Sequence, residues 1–418
     1  MNRWKLFKQK NFVLYWLGYL FSALGDAIFI LITSWFIVQK TGSGVTMGTF
    51  LLFVGVPRVI FMIIGGIVVD RVSPRAVMFW SDLLRAVILF IFVFLSIINN
   101  LHVPILFSLG VAFGIVDAFY WPSITAMRQR IVDEHHYTQS NSVLTATWQA
   151  SAILGPLLGA GIIGLISFTF GFGVTGLFFL LSALTLFFLR LKPKKSLVKQ
   201  EKQKNIMTEL LVGAKFVLSN RLLLVIIITA LFGNAAMSTI TVGLPFLAKE
   251  YKVGAEGLGH MSASLGIGGM IMSVLLAVVI VIKKPHPRLM MAVLFAQGMF
   301  ILFIGYTQNH WQVALLIGLI GGAGATLGIL EQSISQSIIP QHLIGRVYSV
   351  ILVVAQGITP LAQALSGWLI DVIGVHQIYL IGGPIQVVAA GIAFFLPVIV
   401  YYDQKPFKQT TTSYSNIQ

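Results

Sequence analysis

The chain has 418 residues, of which 57% are hydrophobic and only 10% charged, and its mean hydropathy is +0.90. Soluble domains carry about 25% charged residues, so this composition excludes a water-soluble fold, and the lack of cysteine excludes disulfides, thiolate nucleophiles and cysteine-held metals. The net charge of +15 is no nucleic-acid footprint: with the N-terminus inside, Lys and Arg gather in the inner loops and inner helix ends, as the positive-inside bias requires.

In chain order, residues 1–10 are basic and run into an apolar stretch without a small-residue cleavage site, which reads as a retained first helix. Runs of about 20 apolar residues predict membrane helices, and about twelve follow. The first six are expected at 12–38, 45–69, 76–98, 103–127, 143–166 and 168–189. Residues 190–221 hold nine Lys and Arg against Glu201 and Glu209 and read as a linker with a surface helix near 207–218. Six more spans are expected at 222–247, 258–282, 289–306, 311–338, 347–370 and 378–401, before a polar, Thr/Ser-rich tail. A shift of 207 residues superposes Gln129 on Gln336, Ile131 on Ile338, His135 on His342, Ser142 on Ser349, Val143 on Val350 and Gln149 on Gln356. That repeat maps the loop after span four onto the loop after span ten, the register of two parallel six-helix halves.

Ionisable residues inside spans are costly and face a partner or a cavity. Asp26 lies in span one, Arg58 after Pro57 in span two, Asp117 in span four and Glu331 in span ten. Asp26 and Arg58 are expected either to pair and hold spans one and two together or to line a central cavity, where a carboxylate can exchange protons. Asp117 and Glu331 read equally as proton or substrate sites and as buried helix contacts. Asp82 and Arg85 share a face at i,i+3 and, with Asp70 and Arg71, read as a charge network near the inner surface. Trp121 and Pro122 are expected to pack and bend span four rather than to stack on a substrate. The eight histidines lie mostly in loops without metal-ligand spacing, and the glycine-rich stretch at 321–324 lacks the Lys-Ser/Thr of a phosphate loop. No metal site, nucleotide site or enzymatic constellation is therefore expected.

Residues 65–75, Gly-Gly-Ile-Val-Val-Asp-Arg-Val-Ser-Pro-Arg, end span two on an acid and two arginines. This stretch resembles the loop signature of the major facilitator superfamily at Gly66, Asp70, Arg71 and Arg75, and departs from it at Ser73 and Pro74. Gly155, Pro156 and Gly159 in span five are similar to the antiporter signature of the superfamily's bacterial drug-exporter branch, with Ala160 in place of its last glycine. Residues 345–347, 40–43 and 367–371 resemble the macrolide-efflux and enterobactin-exporter group.

The resemblance and the residues together predict an all-α integral membrane protein of twelve helices in two pseudo-symmetric six-helix bundles. The expected divisions are an N-terminal bundle at 1–190, a basic cytoplasmic linker at 191–220, a C-terminal bundle at 221–402 and a disordered tail at 403–418. The expected function is export of a small amphipathic molecule, such as a macrolide or a siderophore-like compound, by proton antiport and alternating access. Asp26, Arg58, Asp117 and Glu331 are the expected coupling and cavity residues, with Arg58 as counter-ion to Asp26. Gly66, Asp70, Arg71, Arg75, Asp82 and Arg85 are the expected cytoplasmic gate. A lipid or lysophospholipid flippase of the same fold and a non-transporting sensor or scaffold are the rival readings. The expected partners are the substrate, a proton and the bilayer, with no cofactor and no nucleic acid. The expected form is a monomer in the bacterial cytoplasmic membrane with both termini inside.

Overall fold

Lipid offers no partner to a backbone N–H or C=O, so a chain this apolar must close its hydrogen bonds within helices. The computed structural model describes residues 6–100, 102–191, 206–278, 285–340 and 343–402. Among these, the first half forms α1 (Lys10–Thr41), α2 (Gly44–Arg71), α3 (Pro74–Ile97), α4 (Val103–Ile131), α5 (Tyr137–Leu165) and α6 (Phe168–Phe188). After α7 (Ile206–Ser219) come α8 (Arg221–Glu250), α9 (Gly254–Val278), α10 (Pro287–Ile304), α11 (His310–Ile338), α12 (Ile344–Ile373) and α13 (Val375–Phe395), and then the one-turn α14 (Pro397–Val400). Twelve of these helices are long and apolar enough to cross a membrane.

Local chemistry sets the helix starts. Ser43, Ser167, Asn220 and Asn309 accept from the first free N–H groups of α2, α6, α8 and α11. Pro74 and Pro287 open α3 and α10, where a missing N–H costs nothing. Two boundaries differ most from the sequence expectation. The polar residues 137–142 extend α5 by about a turn and a half beyond its apolar run, and Pro397 breaks the last span, so that α13 ends at Phe395. Linker residues 192–205 and the tail at 403–418 lie outside the described residues.

The packing repeats between halves. In the first half α1 packs on α5 and α6, α3 on α4 and α6, and α2 on α4. In the second, α8 packs on α12 and α13, α10 on α11 and α13, and α9 on α11. Each pair of one list has its counterpart in the other under the substitution of α8–α13 for α1–α6, which is the pseudo-symmetry of a duplicated bundle. Helix α7 packs on α12 and α8 and so belongs with the second half.

Two long contacts join the halves, α2 with α12 and α5 with α9, and the same symmetry exchanges them. Both use close backbone approach. A Cβ on Gly44 or Gly367 would strike the backbone carbonyl of the other. Along α2 the contact passes from Gly44 on Gly367 and Asp371 to Gly55 on Pro360, and along α9 from Gly259 on Pro156 to Gly269 on Gln149. Both runs begin at the end of the molecule that carries the α1–α2 turn, called here the turn end. The opposite end, where α1 begins and α13 finishes, is called here the terminal end.

Close packing also operates inside each half. A Cβ on Gly114 of α4 would collide with the backbone of Val54 in α2, whereas nothing lies within 4 Å of one on Gly161. Gly114→Ala is expected to cost about 1–3 kcal/mol of stability through overpacking. Gly161→Ala is expected to leave stability unchanged or slightly raised. Thermal denaturation of the two variants in detergent checks the contrast.

Candidate functional site

The centre of the first half is a cluster of charges assembled from α1, α2, α3 and α4. Arg85 of α3 has no solvent exposure and its guanidinium reaches three carboxylates. Its Nη1 donates to Asp26 Oδ1 at 2.9 Å and to Asp117 Oδ1 at 3.0 Å. Its Nη2 donates to Asp82 Oδ1 at 2.5 Å and to Ser22 Oγ at 3.1 Å. Asp117 receives a second cation from α2, Arg58 Nε at 3.0 Å. The Tyr120 and Phe179 rings lie 4.5 Å from the Arg85 guanidinium carbon, a cation–π setting in which the charge is dry but not bare. Asp82, also fully buried, accepts from Ser22 at 3.1 Å and from Ser182 of α6 at 2.5 Å.

Three carboxylates face two guanidinium groups, so the fully ionised cluster carries one surplus negative charge. Asp82 is sealed in the protein and Asp117 is held by both arginines. Among the described residues Asp26 is bonded through Oδ1 alone, and it keeps 17% side-chain exposure. It is the carboxylate with a free oxygen at the edge of open space.

That space is a cavity of about 330 Å³ between the halves. Asp26, Arg58 and Asp117 border it, together with Phe29, Phe50, Phe113, Met47 and Met62. Trp121 and Trp148 also line it, 5.2 Å apart in an edge-to-face pair, with Arg58 5.6 Å from the Trp121 ring. The second half contributes Thr241, Gln356, Thr359, Pro360 and Gln363, none of them charged.

Several placements differ from the sequence expectation. Arg58 pairs with Asp117, and the counter-ion of Asp26 is Arg85, because α3 and not α2 presents its cation to α1. Asp82 and Arg85 are not at the molecular end with Arg75 but buried about two to three turns deeper along α3. Arg75 instead donates to the carbonyls of Leu186 at 2.9 Å and Phe187 at 2.5 Å, at the end of α6. Gly66, Asp70 and Arg71 fall in the last turns of α2, and their side chains lie outside the described residues. Glu331 on α11 is not among the cavity-lining residues. Gly155 and Gly159 face Ala27, Leu31 and Ile28 of α1, while the Pro156 carbonyl meets Gly259 of α9, so the antiporter-like stretch sits where α5 touches both α1 and the second half.

Trp148 was not singled out in the sequence, since one aromatic in an apolar span carries no signal. Gln356 did carry one, as the repeat partner of Gln149, and Trp121 both packs and lines the cavity.

Two matching helical halves around one central cavity with a charged wall define a membrane transport protein. The sequence pattern of the Major Facilitator Superfamily matches residues 15–362. The chain belongs to that superfamily, and it is a multi-pass transporter of small molecules rather than an enzyme. It is 25% identical over 393 residues to the multidrug efflux pump Tap of Mycolicibacterium fortuitum, covering 90% of this chain and 94% of that protein. It is 22% identical over 392 residues to macrolide efflux protein A of Streptococcus pyogenes, covering 93% of this chain and 95% of the relative. Among solved structures, a mutant form of the nucleoside transporter NupG superposes with a TM-score of 0.77 at 15% identity, over 93% of this chain and all of that one. That likeness concerns the fold.

Removing one partner from a buried ionic cluster leaves uncompensated charge and costs about 3–5 kcal/mol. Arg85→Ala is expected to lose about that much, since three carboxylates then share only Arg58. Arg85→Lys is expected to recover only part, because an ammonium cannot spread its donors over Asp26, Asp82 and Asp117 from one planar fork. Thermal denaturation in detergent ranks the three proteins.

Proposed function

We propose that the protein is a secondary active exporter of small amphipathic organic compounds in the bacterial cytoplasmic membrane, working as a monomer by proton antiport. Two observations support efflux: the named activities of the Tap and macrolide-efflux relatives, and a cavity that joins an aromatic and aliphatic lining to a charged wall. The observation that carries the coupling mechanism is the half-bonded Asp26. A proton on its free oxygen removes the surplus charge of the cluster, and so does a cationic group of a substrate, so the two exclude one another.

In this reading residues 1–190 and 221–402 are the two rocking bodies, 191–220 is the linker whose helix α7 rides on the second of them, 403–418 is a tail, and both termini are cytoplasmic. Contact at the turn end with a cavity below it is then an inward-facing arrangement. Asp117 and Arg58 share the cavity wall with Asp26. Asp82 and Arg85 hold those carboxylates in register, while Gly66, Asp70, Arg71 and Arg75 border the cytoplasmic gate. Gly155, Pro156 and Gly159 keep α5 close to α1 and α9 as the bodies move. Glu331, half-buried in α11 and without a hydrogen bond or ion pair among the described residues, is a second protonation site in the other body.

The test is substrate-driven proton movement in sealed vesicles, with macrolides, dyes and siderophores as compounds. The wild type is expected to move protons on addition of a compound, and Asp26→Asn is expected to lose that signal while still binding. Efflux without a proton signal would reject proton coupling and favour another ion or lateral lipid uptake. Gln356→Ala is expected to change which compounds elicit the signal and to leave the coupling intact.

A further inference from the structure

We infer that Asp371 and Lys249 form a two-point clasp by which the second half grips the α1–α2 turn, and that this clasp sets the balance between the two end states of the transport cycle. The inference rests on the two-state reading above. Its observations lie about the turn end, away from the charged cluster.

Asp371 belongs to the last turn of α12. Its Oδ1 accepts from the backbone N–H of Gly44 at 2.5 Å, and its Oδ2 accepts from Ser43 Oγ at 2.7 Å and from the backbone N–H of Val45 at 3.0 Å. A carboxylate of one half thus takes up the free donors at the start of a helix of the other half, in charge-assisted bonds. Lys249 of α8 reaches the opposite side of the same turn and donates to the carbonyl of Val38, in the final turn of α1, at 3.5 Å. The helix ending at the turn receives a cation and the helix leaving it receives an anion. Both signs suit the partial charges of those helix ends.

The two grips are not equivalent. Asp371 sits at the negative end of its own helix, where a carboxylate is unfavourable. The positive end of α2 compensates this only while the halves are closed there. When they part, Asp371 is left with the carbonyl end of α12. Lys249 sits in the last turn of α8, a favourable position whether or not the turn is gripped. Most of the state-dependent energy therefore resides in Asp371. The start of α2 does not depend on it, because Ser43 Oγ also accepts from Thr46 N–H at 3.2 Å, a cap from within the chain. Losing Asp371 should shift the balance of states without unravelling the helix.

The absence of cysteine makes the test direct. Spin labels on Asn100→Cys and Gln308→Cys report the turn end, and labels on Gln129→Cys and Gln336→Cys report the terminal end; all four positions are exposed. In nanodiscs, Asp371→Ala is expected to lengthen the first distance and shorten the second together. The expected change in the population ratio is about tenfold, equivalent to 1.4 kcal/mol. Asp371→Asn, which keeps the shape and loses the charge, is expected to move both distances in the same sense by less, and Lys249→Ala by less again. Local loosening would broaden the first distance and leave the second where it was, which overturns the inference. So would wild-type distributions at both ends in Asp371→Ala. Reciprocal movement in a protein that exports none of the compounds tested would keep the clasp and reject the exporter reading. Unmoved distances in a protein that does export would do the reverse.

Discussion

The structure depends on one guanidinium. Arg85 has no contact with solvent, yet it faces carboxylates from α1, α3 and α4, with two aromatic rings covering it. A buried cation is tolerated only where its charge is met, and Arg85 meets that demand through Nη1 and Nη2, its buried Nε having no partner among the described residues. Here that requirement ties three helices to a common point. The cavity wall inherits its geometry from this constraint, because Asp26 and Asp117 stand where Arg85 holds them. Arg58 enters later, as a half-exposed partner of Asp117.

Much of the fold was legible because lipid imposes a coarse and strict rule. Apolar length reads directly as a membrane span, and the twelve spans fell close to their expected positions. Boundaries failed where the rule does not apply. Residues 137–142 continue a helix beyond its apolar stretch, and Pro397 stops one inside an apolar run. The identity of the intramembrane charges was also legible, since each is costly in hydrocarbon. Their partners were not. Asp26 and Arg58 make a natural pair by their adjacent spans, but helices that follow one another in sequence need not present their polar faces to one another. The i,i+3 relation of Asp82 and Arg85 was correct and gave no hint of depth.

Pairings across the two halves were the least legible. Nothing in the sequence around Asp371 announces that it meets the start of α2, 326–328 residues earlier. The weak internal repeat did point in that direction. It relates α5 to α12, and the packing extends the relation to α2 and α9, so the two contacts between the halves are copies of one arrangement. Duplication preserved this backbone scaffold while the polar residues on it diverged.

The divergence is sharpest across the cavity, where, among the described residues, every charge belongs to one wall and the other offers hydroxyls, amides and a proline. The two walls consequently differ in what a substitution costs. Side chains such as Gln356 and Gln363 can be exchanged without disturbing any bond of Arg85. The ionic half is under a tighter lock, because a change in any of its acids leaves a buried charge to be answered for.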